Sequence, residues 1–242
     1  MSEAARRRIV RVSPVVAAGS RFEKYKPEEE KGVRKVEVKE DEVLRQLKAA
    51  WGKYRPRFYE EYYPDALKAI RNISYSASDV EKFSLALVEF QGEERFSDKA
   101  GLFLSALINN GKDIHYVIHT EHLAEVFYLG TKNTKNIIVN GNAGSMVGDQ
   151  MEGGSIIVNG NAGYGVGGHM EGGTIIVNGT AGDHVGVRMK GGAITVNGNA
   201  GNDVGTGMME GAVIHLNGGY KSIADDVKGG KIYHEGVLIV DK

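Results

Sequence analysis

The sequence predicts a mainly β chain: a parallel β-helix over residues 114–242, preceded by an α-rich region over 34–113 that caps or flanks it. Three observations point there. A glycine-rich phrase, roughly V-G-x-x-M-x-G-G-x-I-x-V-N-G-x-A-G, recurs along the second half. Its Asn-Gly pairs begin at Asn140, Asn159, Asn178 and Asn197, each 19 residues after the last. The 34 glycines concentrate after Gly130, so composition changes where the repeat begins.

A period near 20 residues is the mark of a solenoid. Asn-Gly between apolar residues also suits a hairpin turn, but the residues that follow ("NAGSMVG", "NAGYGVG", "TAGDHVG") are poor strand formers. A meander of hairpins does not explain a constant spacing, whereas a coil returning to the same azimuth does. Rungs then stack at about 4.8 Å and number about six at that period. Equivalent side chains form ladders: Val147, Val166, Val185 and Val204; Met151, Met170 and Met189; Ile156, Ile175 and Ile194; Val158, Val177 and Val196. Asn217-Gly218 follows 20 residues after Asn197-Gly198, which places one extra residue within Thr206–Glu210. Degenerate rungs flank the repeat, "VFYLGTKNTKNIIVNG" before it and "SIADDVKGGKIYHEG" after it.

The glycines suit corners. Gly148, Gly167, Gly186 and Gly205 follow the valine ladder, and the pairs 153–154, 172–173 and 191–192 precede the isoleucine strand. Glycine accepts positive φ and close backbone approach. The row Asn140, Asn159, Asn178 and Asn197 suits the left-handed region, which asparagine tolerates better than most residues.

"VGGHMEGGTIIVNGTAGDHVGVRMKGGAITVNGNAG" resembles the GXGXG-repeat family, over about Val126 to Gly236. That family includes the C-terminal domain of the glutamate synthase large subunit and the C subunit of formylmethanofuran dehydrogenase. The resemblance implies a right-handed β-helix that serves as a non-catalytic scaffold between catalytic parts and carries no cofactor ligands. Residues 1–122 lie outside the familiar subunits. Some homologues of this type bear an esterase label; no G-x-S-x-G elbow accompanies it here.

In the first half, residues 1–33, with the basic run "RRRIVR", read as a mobile arm too broken in its apolar stretch for a signal peptide. "RKVEVKE" (34–40) alternates like a strand. "DEVLRQLKAAW" (41–51) and "PDALKAIRNI" (64–73) have helical spacing, the second with proline in its first turn. "SASDVEKFSLALVEF" offers Ser78 or Asp79 as an N-cap. "SDKAGLFLSALINNG" (97–111) reads as an apolar helix ended by glycine, placed to cap the coil. "DIHYVIH" is the strand entering the first rung, and "GVLIVDK" is a final strand that either closes the rod or pairs with another chain.

Net charge is −1, so no strong basic field marks a nucleic-acid partner. No apolar run approaches about 18 residues, so no membrane span is expected. With no cysteine, thiolate chemistry and disulfides are excluded, in keeping with a cytoplasmic protein.

The strongest functional signal is an outer face. In the strands starting at Ile137, Ile156 and Ile175, the outward residues Ile138, Ile157 and Ile176 are also apolar. Strands apolar on both sides are usually covered on both, here by the chain's own helices or by a second subunit. The expected partner is a catalytic chain or a further copy of this one.

Polar candidates are weaker. His184 and Asp203 share a phase on neighbouring rungs, as a base and its orienting group would, or as a surface ladder. Gln150, His169 and Arg188 form another polar row that fits an anion or a solvated turn. His115, His119 and His122 lie close together, but without matched spacing they make no metal site. Fragments such as Gly165-Val166-Gly167 lack the context of a phosphate loop. Tyr59–Tyr63 reads as a contact patch or helix surface. No catalytic residue and no cofactor is assigned. The alternative to a scaffold is a hydrolase with a site between the helical half and the rod, using residues such as His115, His119 or His184. A third reading is a self-associating structural protein.

Overall fold

The computed structural model describes residues 41–56 and 61–242. The expected strand at 34–40, the basic run and residues 57–60 lie outside these.

The helices follow the apolar periodicity. α1 (Glu42–Lys53) is capped by Asp41, whose side chain accepts the Val43 N–H at 3.0 Å. α2 (Tyr62–Ile70) begins two residues before the expected start, with Pro64 in its first turn. α3 (Ala77–Ala86) is capped by Ser76 rather than Ser78 or Asp79. Ser76 is extended, and Asp79 is the reciprocal partner: its carboxylate accepts the Ser76 N–H at 2.9 Å in a capping box. A 3-10 turn (Leu87–Phe90) follows.

α4 (Phe96–Asn110) starts after left-handed Arg95 with no side-chain cap, and Gly111 ends it as expected. From Lys99 to Ile108 every residue is buried, as befits a helix apolar all round. It packs on the first turn of the rod. A Cβ on Gly101 would lie 1.7 Å from the Phe127 carbonyl oxygen, so only glycine permits that approach. Ser105 Oγ accepts the Gly130 N–H at 2.8 Å. On the far side of α4, Trp51 is ringed by Tyr54, Phe83, Phe90, Phe96 and Phe103.

The rod is the solenoid the repeat predicts. β1 (His115–His119), β2 (Asn136–Asn140), β3 (Ser155–Val158), β4 (Thr174–Val177), β5 (Gly192–Val196), β6 (Ala212–Leu216) and β7 (Lys231–His234) stack in parallel and in chain order. Ile137, Ile156, Ile175, Ile194, Ile214 and Ile232 stand in register down the stack. The valine, methionine and isoleucine ladders are fully buried. The degenerate rungs supply Leu129 and Ile223 to the valine column, the first bonded through the Gly148 N–H to Leu129 O and the second bridging Val204. The Met209 N–H still bonds Met189 O, whereas Ala212 already stands opposite Gly192. The extra residue therefore falls between them, at the C-terminal edge of the expected window.

Gly148, Gly167, Gly186 and Gly205 have positive φ, as expected. The asparagine row does not: none of Asn140, Asn159, Asn178 and Asn197 is left-handed. Its side chains instead form an amide ladder, each Nδ2 donating to the Oδ1 one rung earlier at 2.9–3.0 Å, and Asn217 extends it. The side-chain bond, not backbone tolerance, is what the position uses.

β8 (Val237–Asp241) turns back through left-handed Glu235 and Gly236 and pairs antiparallel with β7. It therefore ends the sheet within its own chain, leaving Val237, Leu238 and Ile239 exposed.

Candidate functional site

Two features stand out: the outer face of the sheet and a crevice between the helices and the rod.

On the outer face, register carries one row through Val117, Ile138, Ile157, Ile176, Thr195, His215 and Tyr233. Ile138 is 41% exposed, while Ile157 and Ile176 are half-buried by their ladder neighbours. Beyond Thr195, His215 and Tyr233 stack at 4.9 Å. α3 covers only β1, where the His119 N–H donates to Ser84 Oγ at 3.1 Å. Among the described residues no helix packs substantially on β2–β7. Cover by the described helices, one of the two explanations for an apolar outer row, stops at the first strand.

The crevice lies where α2 and α4 meet the first turns of the rod. Tyr63, Pro64 and Leu102 form an apolar side, and Thr131, Lys132, Asp149 and Gln150 a polar one, around about 200 Å³. It shares Lys132 and Gln150 with a trough of about 360 Å³, also lined by Glu152, His169, Glu171 and Lys190. A column of left-handed residues builds this edge: Lys132, Gln150, His169 and Arg188, with φ of 52–54°. Such a conformation costs a non-glycine residue about 1–2 kcal/mol. Each is held by a backbone bond to the next rung, as His169 N–H to Val187 O at 2.9 Å.

The row read as Gln150, His169 and Arg188 thus exists, but its key partner was missed. Asp149 is only 3% exposed. Its Oδ1 lies 3.2 Å from His169 Nδ1, and its Oδ2 accepts from Gln150 Nε2 at 3.0 Å. Burying a carboxylate is costly without such partners. Gly168, Val187 and Thr206 occupy the equivalent place on later rungs, so the coil itself does not require an acid there. That departure from the repeat was the signal available in the sequence. Arg188 continues the column but does not line the trough.

His184 and Asp203 are neighbours, as their phase predicts, yet His184 Nε2 stands 3.9 Å from Asp203 Oδ2, beyond hydrogen-bond reach. His184 Nδ1 is 3.0 Å from Thr206 Oγ1 instead, and Ser222 Oγ donates to Asp203. This is a surface polar ladder. The other histidines diverge: His119 Nε2 lies 3.1 Å from Glu81, His115 faces Asn136, and His122 Nε2 is buried with no partner among the described residues. Among those residues no three ligand-bearing side chains gather as a metal would require. The crevice between helices and rod is therefore where a site was expected, but His115, His119 and His184 do not line it.

A further hollow, of about 570 Å³, is lined in part by Arg55, Tyr62, Glu93 and Lys99. Lys99 sits 4.5 Å from the Trp51 ring centre and 2.6 Å from Glu93 Oε2. Burial lowers the Lys99 pKa against the opposing pull of Glu93. Burial opposes ionisation of Glu93 too, but bonds from Lys99 and Trp51 outweigh it and hold its carboxyl below the usual range. These contacts knit α1 to α4 and the segment between them.

No helix among the described residues is long and apolar enough to cross a membrane. No protein-family model matches this chain, and no curated protein matches it significantly.

Proposed function

We propose that this chain is a non-catalytic scaffold or accessory subunit of a cytoplasmic enzyme, presenting its rigid sheet face to a catalytic partner chain. The observation that carries the reading is the outer row centred on Ile138, Ile157 and Ile176, apolar yet uncovered by the described helices from β2 onward. In-register pairing on both sides holds these side chains at fixed rung spacing, which gives a partner a preorganised surface. Complete burial of an exposed isoleucine contributes about 1.5–3 kcal/mol; these part-buried ones contribute less each, so several must act together. The resemblance to the GXGXG repeats of glutamate synthase and formylmethanofuran dehydrogenase supports the same role.

The test is capture of the tagged full chain from its native cells, with the mass of the eluted complex recorded. The reading expects a stoichiometric catalytic subunit. A homo-oligomer would favour the self-associating structural protein, and a lone monomer would overturn the obligate-subunit reading.

A further inference from the structure

We propose that His169, oriented by buried Asp149, is a general base that removes a proton next to the carbonyl of a small, apolar-bodied carbonyl compound held where the trough adjoins the crevice. This replaces the non-catalytic part of the scaffold reading and leaves the docking of the outer sheet face, which rests on other residues, untouched.

The repeat is an internal control. Glycine, valine and threonine serve the coil where Asp149 stands, so the buried carboxylate answers to something other than the fold. Its two oxygens are taken up by Gln150 Nε2 and His169 Nδ1. An imidazole whose Nδ1 hydrogen is held by a carboxylate leaves Nε2 as the free base. His169 lines the trough and its side chain is 40% exposed, so the ring can meet a ligand there.

The surroundings select the chemistry. The apolar wall of Tyr63, Pro64 and Leu102 fits a neutral hydrocarbon body. Lys132 lines both crevice and trough, and is the cation available to a negative charge developing on oxygen. No side-chain hydroxyl bonds His169 among the described residues, and Thr131 Oγ1 is turned to Tyr128 O at 2.8 Å. Among the described residues no hydroxyl is paired with His169 to serve as an acyl nucleophile, whereas simple proton transfer needs none. The charged groups around His169 are Asp149, Glu152, Glu171, Lys132 and Lys190, with Glu171 and Lys190 paired at 2.7 Å.

In the step, the C–H bond beside the carbonyl breaks and the proton passes to His169 Nε2. The bonding electrons become the enolate, its oxygen facing the Lys132 ammonium. Return of a proton to carbon regenerates both imidazole and ketone. His169 and Lys132 are catalytic residues; Asp149 is a positioning residue.

The experiment is hydrogen–deuterium exchange at the α-carbon of cyclopentanone in D2O, followed by NMR with the full chain. The wild type should exchange the probe at least about 100-fold faster than equimolar imidazole, as positioned bases do, and should saturate with probe. H169Q should lose this acceleration. D149N should lower the maximal rate about 10-fold with unchanged half-saturation, and NMR should show the His169 proton moving from Nδ1 alone to both tautomers. Melting curves of both variants establish that they fold. Equal rates in wild type and H169Q would overturn the proposal. So would exchange that survives H169Q but disappears in K132M, which would assign the chemistry to the lysine amine.

Discussion

The side-chain amide of Asn178 donates to Asn159 Oδ1 at 3.0 Å, one rung earlier, and Asn178 Oδ1 in turn accepts from Asn197 Nδ2 at 2.9 Å. Every interior asparagine of the row is thus both donor and acceptor. Asn178→Ala removes two bonds and should cost about 1 kcal/mol, the low end for two exposed hydrogen bonds. Asn217→Ala removes one and should cost about half as much. Denaturant melts of the two variants side by side check the ratio.

Gly167 has φ of 66°, and a Cβ there would lie 2.4 Å from Ile194 Cδ1. Gly167→Ala therefore meets strain and overlap together and should lose about 2–4 kcal/mol. Adding Ile194→Val removes the methyl in the way and should restore part of the loss, leaving the backbone strain. A double-mutant cycle by thermal melting separates the two.

Asp149→Val installs the residue that Val187 already places at the same point of the coil. It removes a buried carboxylate whose partners Gln150 and His169 reach solvent, and should leave stability within about 1 kcal/mol, while abolishing carbonyl proton exchange. A larger stability loss instead would make Asp149 a structural residue.

Glu93 is ionised in the fold to lower pH than in the unfolded chain. Between its ordinary pKa of 4.5 and the lowered folded value, the unfolded state binds more protons. Its contribution is complete above the ordinary value and is lost as pH falls through the folded one. Glu93→Gln should destabilise at pH 7, since it removes the charge opposite Lys99 and keeps only an amide oxygen to accept from it, by about 1–2 kcal/mol. The difference from wild type should shrink towards pH 3, as urea melts across that range will show.

The interior of the rod was legible because Val166 and Met170 repeat at a constant interval, and burial at one rung then holds at all. The chain ends of helices were less so. Ser76 caps α3 although Ser78 and Asp79 are nearer the apolar run, because a reciprocal bond with Asp79 decides the start. Asn178 was misread because φ tolerance and side-chain laddering favour the same residue. Asp149 escaped because ladder reading seeks sameness, and its significance lies in difference. The Tyr63–Leu102 side of the crevice depends on how α2 and α4 dock, which no local pattern encodes.

The account's central claim is that a catalytic chain covers the outer isoleucine face. The most direct measurement compares native masses of complexes captured from cells with wild type and with Ile157→Asp, whose outward position leaves the buried ladders intact. The account predicts a stoichiometric enzyme subunit with the wild type, and its loss from a variant that still melts cooperatively. An unchanged complex would show that the partner docks elsewhere, and no complex with either chain would contradict the claim itself.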